Sequence, residues 1–344
     1  MGFDSIWTHN RTMPSAFWLC TDWWRAAAAA GHDDVDVGIG VIPAPRMWHP
    51  GSLASIAATA SLLTNGHFVL GLGTGGYGEQ FWSGLGLPNR PIAIMEDYIG
   101  ALRAAATGGK VAYRGKVLSL RSFSLEAAPP PIPIYLAALG PQMLRLAGRA
   151  ADGALLNWAS PEVIAASSRW LAEGAESAGR SRSDVRLAMY LRCCIDDDVT
   201  VARRVIAAEI LEKVQPQDRR DKSGGLGYRG QFIRLGFERE IVQLEDKLAR
   251  GASTSDLLDD VPEALCSAAG YYGTAADAPR RLAELTSGLD QVVLRLVPAV
   301  RDLDRIRATL DALAPDRIRA AIASQPAPAA HLPSPEYHDT EHAQ

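Results

Sequence analysis

The stretch of sequence that decides the fold reads NGHFVLGLGTGG and covers residues 65–76. Its centre, residues 68–72, is a continuous apolar run, which is typical of a strand buried on both faces of a parallel sheet. Apolar residues repeat at three- and four-residue steps before it, over residues 53–63, and after it, over residues 92–106. The order helix, strand, helix predicts an α/β protein.

The same alternation continues along the chain and predicts a TIM (β/α)8-type barrel. Six further strands are predicted over residues 4–8, 35–42, 134–138, 154–157, 186–195 and 291–297. Further helices are predicted over residues 141–150, 161–178, 201–213, 278–287 and 303–314. Repeated strand–helix units make the strands parallel and place the helices outside them. Seven strands are one fewer than the barrel needs, and the chain opens almost directly on a strand. We therefore expect the first strand and first helix to be absent from this polypeptide.

We expect one barrel domain over residues 1–323, with two interruptions. Residues 111–123 alternate apolar and polar around Arg114-Gly115-Lys116, which predicts an inserted hairpin. Residues 215–272 are first polar and glycine-rich and then mostly helical, and such a long insert is a candidate lid over the strand ends. Residues 324–344 are rich in Pro, Ala, His and acidic residues without periodicity, so we expect a disordered tail.

The composition excludes several classes of protein. With 47% hydrophobic and 22% charged residues over 344 positions, the chain can bury a full core, so disorder is not its main state. A net charge of −4 provides no basic footprint for nucleic acid, and the apolar stretches end short of the roughly 20 residues that span a bilayer. The start of the chain lacks a secretory signal, and the four cysteines form no CxxC pair. We therefore expect a cytoplasmic protein with free thiols and no metal site.

Residues 71–76 contain the pattern GxGxxG directly after a predicted strand. A dinucleotide-binding fold also requires a helix that opens at once and an acid at the end of the next strand, whereas residues 77–90 have the composition of a Gly- and Pro-rich loop. Two other interpretations stay open. The glycines form a tight turn that binds nothing, or they let a flat ring or a phosphate approach the carboxyl end of a barrel strand.

A second feature, IYLAALGP over residues 134–141, is a predicted strand that ends in a turn of small residues. Pro141 suits the first position of a helix, whose free N–H groups form a phosphate site; a helix that merely starts at proline is the alternative. Both features follow strands and so lie on the same face of a barrel. One extended, phosphorylated cofactor could contact both.

Several motifs, taken in order, resemble the bacterial-luciferase-like superfamily. They are GFDSIW at residues 2–7, His49-Pro50, residues 65–75, residues 134–141, AGR at residues 147–149 and Asp152-Gly153. GPQML at residues 140–144, followed by DGALLN at 152–157, is similar to the branch of methylenetetrahydromethanopterin reductase, which uses the deazaflavin coenzyme F420. The resemblance is dense over residues 1–157 and loose beyond. It implies a TIM barrel, usually dimeric, with flavin or deazaflavin at the carboxyl ends of the strands.

The resemblance also implies which residues hold the cofactor. Gly40-Val41 matches a bulge where the family has a non-prolyl cis peptide behind the central ring, so a large side chain at Gly40 is expected to crowd that ring. The turn of Ala138, Leu139 and Gly140 with Pro141 matches the phosphate site. The remaining implied cofactor contacts are Asn10, Thr74, Gly75 and Asn157.

The chain also departs from the family pattern. Many relatives carry an Asp-His pair, whose His donates a proton, where this chain has Asn10-Arg11. Sugar-phosphate dehydrogenases of the family carry a Glu and a Lys where Gly76 and Ser160 stand here, which argues against glucose 6-phosphate as the substrate.

The candidate proton relay is His9 or Glu79. Histidine changes charge near neutral pH, and both residue types act as general acids and bases. The structural alternatives are a surface position for His9 and a salt bridge from Glu79 to Arg90. Arg11 is a candidate for binding an anionic substrate or an acidic cofactor tail. Three tryptophans lie near predicted strand ends: Trp48, Trp82 and Trp158. They could line an apolar substrate pocket, or they could pack against other side chains of the protein without contacting a substrate.

The first functional hypothesis is an oxidoreductase that transfers a hydride between coenzyme F420 and a small or medium organic substrate. The second is an FMN-dependent two-component monooxygenase of the same superfamily. A third, from a different class, is a non-catalytic flavin-binding or scaffold protein. The expected partners are a small-molecule substrate and a second copy of the chain, with neither nucleic acid nor membrane.

Overall fold

The computed structural model describes residues 1–10, 15–76, 78–214 and 227–324. Its strands are β1 (Ser5–Thr8), β2 (Asp36–Pro43), β3 (Phe68–Gly73), β4 (Gly109–Arg114), β5 (Ser119–Leu125), β6 (Ile134–Ala137), β7 (Gly153–Asn157), β8 (Arg186–Ile195), β9 (Gly270–Gly273) and β10 (Gln291–Leu296). Its α-helices are α1 (Ala16–Ala29), α2 (Ala44–Met47), α3 (Pro50–Leu63), α4 (Glu79–Gly84), α5 (Pro91–Ala105), α6 (Pro141–Ala150), α7 (Pro161–Ser177), α8 (Val199–Leu211), α9 (Gly227–Arg234), α10 (Glu238–Ala249), α11 (Glu263–Ala269), α12 (Ala278–Leu285), α13 (Leu303–Ala312) and α14 (Pro315–Ala323).

Eight of the strands form one parallel sheet in the order β1-β2-β3-β6-β7-β8-β10, and β9 pairs with the carboxyl-terminal end of β8. All seven predicted strands are present. The count of seven was one short, because β9 lies within the stretch predicted as an insert. With eight strands in the sheet, the expectation of an absent first strand and helix loses its basis, since it was drawn from that count. Its sequence, GYYG, is too short for a period to show.

Strands β1 and β10 are the two ends of this order, and no backbone ladder joins them within the described residues. At their amino ends a side chain bridges the gap, because Gln291 Nε2 donates a hydrogen bond to Ser5 Oγ at 3.3 Å. The sheet is therefore curled into a TIM-type half-barrel that is open beside β1. This is the fold class that the sequence predicts.

Four helices were missed in the sequence, of which α2 spans only the four residues Ala44–Met47. Helix α1 buries Ala16, Phe17 and Cys20 near its start and ends in a run of alanines, so its apolar residues show no period. Helix α4 lies in the stretch predicted as a loop, and it is only six residues long. Helix α14 follows α13 after a short break and buries no residue fully.

The insert is helical where it is described, as predicted, with α9, α10 and α11. Its glycine-rich start lies outside the described residues, as does all but the first residue of the predicted disordered tail. The predicted hairpin is the antiparallel pair β4–β5. The Asp97 carboxylate on α5 holds it, accepting hydrogen bonds from the backbone N–H groups of Lys116, Val117 and Leu118 at 2.6–2.9 Å.

Aromatic rings set against glycines fill the inside of the half-barrel. Val69, Leu155, Ala188 and Val293 form a small cluster there, and the rings surround it. The pairs are Gly38 with Trp7, Gly40 with Tyr190 and Gly153 with Tyr135, where an added Cβ would lie 2.5, 2.6 and 2.8 Å from the nearest ring atom. The glycines leave the space that the rings occupy.

Two further features concern the whole chain. All four cysteines are free and buried: Cys20, Cys193, Cys194 and Cys266. Among the helices of the described ranges, none combines the length and the apolar character that crossing a membrane requires.

Candidate active site

The carboxyl mouth is the end of the half-barrel where the parallel strands finish, and the bulge of β2 lies there. The peptide bond Gly40-Val41 is cis, as the resemblance implies. Pairing between β2 and β3 shifts register between Ile39 and Ile42, so the two residues between them form a bulge. An added Cβ at Gly73 of β3 would lie 2.7 Å from the Val41 side chain. Val41 therefore projects over β3, which is glycine at that point.

The turn after β3 lies beside this bulge. Gly75 has a positive φ of 77°, and a Cβ there would collide with Pro43 at the end of β2. Only glycine suits both conditions. Thr74 is half-buried between Gly73 and Gly75. The residues implied on β2 and β3 thus meet in one corner of the mouth.

The third strand end leads directly into α6. Gly140 is the N-cap residue of α6 with an extended backbone, no side chain caps the helix start, and Pro141 is the first helical residue. The first turn carries no acidic residue. A Cβ built at Gly140 meets no described atom within 4 Å. The helix start is therefore uncapped by any side chain and has open space beside Gly140, and an uncapped helix start is an arrangement that can bind a phosphate.

Asn157 lies at the end of β7, and both polar atoms of its side-chain amide form hydrogen bonds. Its Oδ1 accepts a hydrogen bond from Arg192 Nη1 at 2.7 Å, and its Nδ2 donates to the Tyr228 hydroxyl at 3.0 Å. The Arg192 guanidinium lies 3.5 Å over the centre of the Trp158 ring and donates through Nε to Glu209 at 2.9 Å. Burial lowers the pKa of Arg192, and the bond to Glu209 opposes this shift.

Sequence reasoning missed Arg192 and Tyr190, both on β8. A signal for Arg192 was present, since it is a charge inside the apolar run RLAMYLRCCI. The Tyr190 hydroxyl lies 3.4 Å from the carbonyl oxygen of Thr8 and adjoins Gly40. Burial raises its pKa well above the usual range of a tyrosine, and nearby Arg295 opposes the shift.

Helix α9 of the insert lies against the mouth. Besides the contact of Tyr228 with Asn157, Gln231 Nε2 donates to the carbonyl oxygen of Trp158 at 3.1 Å. Arg234 Nη2 donates to the carbonyl oxygen of Leu139 at 3.4 Å, beside the start of α6. These contacts fit a lid over the strand ends.

The candidate proton relays lie at the edge of the mouth. His9 is exposed just after β1, and the neighbouring Asn10 places its Nδ2 3.1 Å from Met47 Sδ. Glu79 is exposed at the first position of α4 and forms no salt bridge with Arg90. Arg11 lies outside the described residues.

Each of the three candidate tryptophans packs against other rings in this structure. Trp82 is fully buried beside Phe81, Trp158 is buried against Phe232, and Trp48 is half-buried with its ring edge-on to Phe17. Their role in binding a substrate stays a prediction.

A metal cluster and a cavity at the opposite end of the half-barrel are the other possible sites. Across the described ranges, no three His, Cys, Asp or Glu side chains cluster as metal ligands would. A cavity of about 560 Å³ lies at the opposite, amino ends of the strands, beside Asp36, Asp152 and Arg186. Barrel enzymes bind their ligands at the carboxyl ends, so we place the candidate site at the carboxyl mouth.

Comparison with models of known protein families identifies the family of this chain. The sequence model described as luciferase-like monooxygenase matches residues 1–291. The chain belongs to the luciferase-like monooxygenase family. The cis peptide and the strand-end glycines of the carboxyl mouth are therefore features of a luciferase-like protein.

Curated proteins similar to this luciferase-like chain are named after coenzyme F420 or a pterin. A 5,10-methylenetetrahydromethanopterin reductase of Methanolobus tindarius is 28% identical over 215 residues, which is 61% of this chain and 62% of the relative. An F420-dependent glucose-6-phosphate dehydrogenase of Beutenbergia cavernae is 30% identical over 209 residues, 57% of this chain and 61% of the relative. The chain thus spans about three fifths of the length of these relatives.

Solved structures share the luciferase-like fold. The coenzyme F420-dependent tetrahydromethanopterin reductase from Methanopyrus kandleri has a TM-score of 0.71 at 22% identity, covering 90% of this chain and 89% of its own. A monooxygenase from Streptomyces bottropensis has a TM-score of 0.57 at 16% identity, covering 90% and 86%. At these identities the likeness shows the fold alone.

Proposed function

We propose that this luciferase-like protein is an oxidoreductase that transfers a hydride between coenzyme F420 and a small or medium organic substrate. One observation carries the proposal. A bulge over glycines on β2 and β3 and an uncapped, open helix start after β6 lie at the same mouth, as a flat ring with a phosphate-bearing tail requires. The name of the F420-dependent glucose-6-phosphate dehydrogenase of Beutenbergia cavernae supports the choice of cofactor.

Different residues at the mouth would bind different parts of the cofactor. Val41 would support the ring from behind, with Gly40, Thr74 and Gly75 around it. The N–H groups at the start of α6 would hold the phosphate, beside Ala138, Leu139, Gly140 and Pro141. Asn157 is oriented by Arg192, and Asn10 lies at the open side of the mouth. When bound, coenzyme F420 supplies the hydride chemistry.

Proton transfer would fall to His9, which follows β1, or to Glu79, which is the first residue of α4 after β3. The protein would also exclude water and hold the substrate about 3 to 3.5 Å from the reacting carbon. Trp48, Trp82 and Trp158 would shape the apolar side of the substrate space, and Arg11 would attract an anionic group.

The test follows the absorbance of coenzyme F420 under anaerobic conditions with candidate imines, activated alkenes and alcohols. We expect turnover with at least one class, and a loss of kcat in His9→Ala or Glu79→Gln. The matched controls are His32→Ala and Glu176→Gln, which change exposed residues of the same types in the loop between α1 and β2 and on α7, away from the carboxyl ends of the strands. Failure of coenzyme F420 to bind would overturn the proposal.

The second candidate is an FMN-dependent monooxygenase, which the fold of the Streptomyces bottropensis monooxygenase favours. Oxygen-dependent turnover with reduced FMN, and none with coenzyme F420, would select it. Cofactor binding without any turnover would select the non-catalytic alternative.

We also propose that the protein works as a homodimer in the reducing cytoplasm. The four free, buried thiols fit such a compartment. Light scattering during gel filtration measures the mass, and a monomer of 36.9 kDa would contradict the dimer.

A further inference from the structure

The carboxyl mouth contains two arginines that face each other. Arg192 of β8 and Arg295 of β10 are paired in register across neighbouring strands. Arg192 lies two residues after Tyr190, and Arg295 lies two residues after Val293, both of which belong to the inner cluster. Because side chains alternate along a strand, both arginines start on the inner face of the half-barrel.

A single carboxylate accepts hydrogen bonds from both guanidinium groups. Glu209 of α8 accepts from Arg192 Nε at 2.9 Å and from Arg295 Nη2 at 3.2 Å. The other described neighbours of Arg192 are Asn157, Trp158 and Tyr228, none of which carries a charge at neutral pH. Within the described chain, this cluster therefore holds two positive charges and one negative charge.

The excess positive charge of this cluster is energetically unfavourable because part of the cluster is buried. The side chain of Arg192 is 3% exposed and that of Glu209 is 15% exposed, so water screens them weakly. The side chain of Arg295, by contrast, is 40% exposed. Arg295 therefore keeps part of its side chain accessible, while Glu209 accepts a hydrogen bond from its Nη2. A second anion is the group that would balance this cluster.

We propose that Arg295, backed by Arg192, binds a carboxylate or phosphate group of the substrate at the carboxyl mouth. The assignment to the substrate rests on the proposed function, in which the start of α6 holds the phosphate of the cofactor. The arginine pair lies on β8 and β10, whereas that helix start follows β6, two strands away from β8 in the sheet. The enzyme would therefore prefer anionic substrates to their neutral analogues.

The binding test titrates the full chain with inorganic phosphate by calorimetry. We expect Arg295→Gln to weaken phosphate binding by about tenfold or more, the loss of a hydrogen bond between charged groups. We expect Glu209→Gln to strengthen it, because this change removes the competing carboxylate. Arg307→Gln, an exposed arginine on α13, is the matched control and should change nothing. Equal phosphate affinity in Arg295→Gln and the parent protein would overturn the site.

A second arm separates substrate from cofactor. Phosphate should still bind, with the same dependence on Arg295, when the protein is saturated with coenzyme F420. Coenzyme F420 should displace phosphate from the start of α6, but loss of the Arg295-dependent phosphate binding on saturation with coenzyme F420 would overturn the assignment to the substrate. If Glu209→Gln unfolds in a thermal melt, Arg295→Gln and its control decide the outcome alone.

A third arm compares turnover of a carboxylic acid and its methyl ester. The ratio of their kcat/KM values should fall toward one in Arg295→Gln. Phosphate binding needs no redox chemistry, so an Arg295-dependent site in a protein without hydride transfer would refute the proposed function and leave the anion site standing. Turnover that shows no preference for the acid would refute the anion site and leave the proposed function standing.

Discussion

At the scale of single residues, two glycines of the carboxyl mouth differ in what a side chain would meet. At Gly140 an added Cβ faces open space at the start of α6. We predict that Gly140→Val folds normally and weakens coenzyme F420 binding by about tenfold or more, because the branched side chain displaces a phosphate from charged hydrogen bonds. Fluorescence titration measures the affinity. Gly84→Val, also open at its Cβ but exposed on α4, is the control, and unchanged affinity in Gly140→Val would remove this helix start from the site.

Gly40 faces the inside of the half-barrel. An added Cβ would lie 2.6 Å from the Tyr190 ring and 3.0 Å from the Leu155 side chain. A large residue here therefore disturbs the barrel interior, whereas its crowding of the cofactor ring stays a prediction. We predict that Gly40→Ala lowers the free energy of unfolding by about 1–3 kcal/mol, the usual cost of overpacking.

Chemical denaturation of the protein without cofactor measures the effect of Gly40→Ala. The double variant with Leu155→Ala should lose less stability than the sum of the two single changes, since the two side chains share one space. Additive losses would mean that the clash is relieved elsewhere.

At the scale of elements, α9 depends on α10 for its position beside the mouth. Arg229 of α9 and Glu245 of α10 form a buried pair, with Nε to Oε1 at 2.6 Å and Nη2 to Oε2 at 3.2 Å. We predict that Glu245→Gln lowers the free energy of unfolding by about 1.5–3 kcal/mol, because it removes the charge of the carboxylate that accepts two hydrogen bonds from the buried Arg229 guanidinium. Hydrogen exchange of α9 should accelerate while that of β3 does not. Glu238→Gln, an exposed change on α10, is the control, and equal exchange in both variants would contradict the coupling.

Helices and strands could be predicted where their burial leaves a recognisable pattern of apolar residues in the sequence. β3 is buried along its whole length, and its apolar run shows this directly. The site was predictable only in part, since the turns at strand ends follow from the family resemblance. Arg192 and its partners lie 35 and 17 residues apart in the chain, so only the packing of β7, β8 and α8 brings them together.

At the scale of the whole molecule, buried tyrosines make the fold sensitive to alkali. Burial raises the pKa of Tyr98 and of Tyr135 from about 10 to about 12. Between these values the unfolded chain has lost the proton that the folded chain retains, so stability is complete below pH 10 and falls as the pH rises to 12. Each tyrosine contributes a slope of up to about 1.4 kcal/mol per pH unit.

Denaturant melts at pH 9, 10 and 11, with tyrosinate absorbance as the second signal, measure this slope. Tyr98→Phe should flatten it, after allowance for the lost hydrogen bond to the carbonyl oxygen of Trp48. A slope that is the same in the variant would show that Tyr98 ionises freely in the folded protein.

Because all four cysteines are buried, we expect the native protein to react very little with thiol-labelling reagents. Burial raises the pKa of Cys20 to about 12 and those of Cys194 and Cys266 to about 11, so almost no thiolate exists at neutral pH. A maleimide dye should therefore leave the native protein unmodified. A single cysteine placed on the exposed surface of α10 would then carry the only fluorophore, and its signal would report the movement of that helix during turnover.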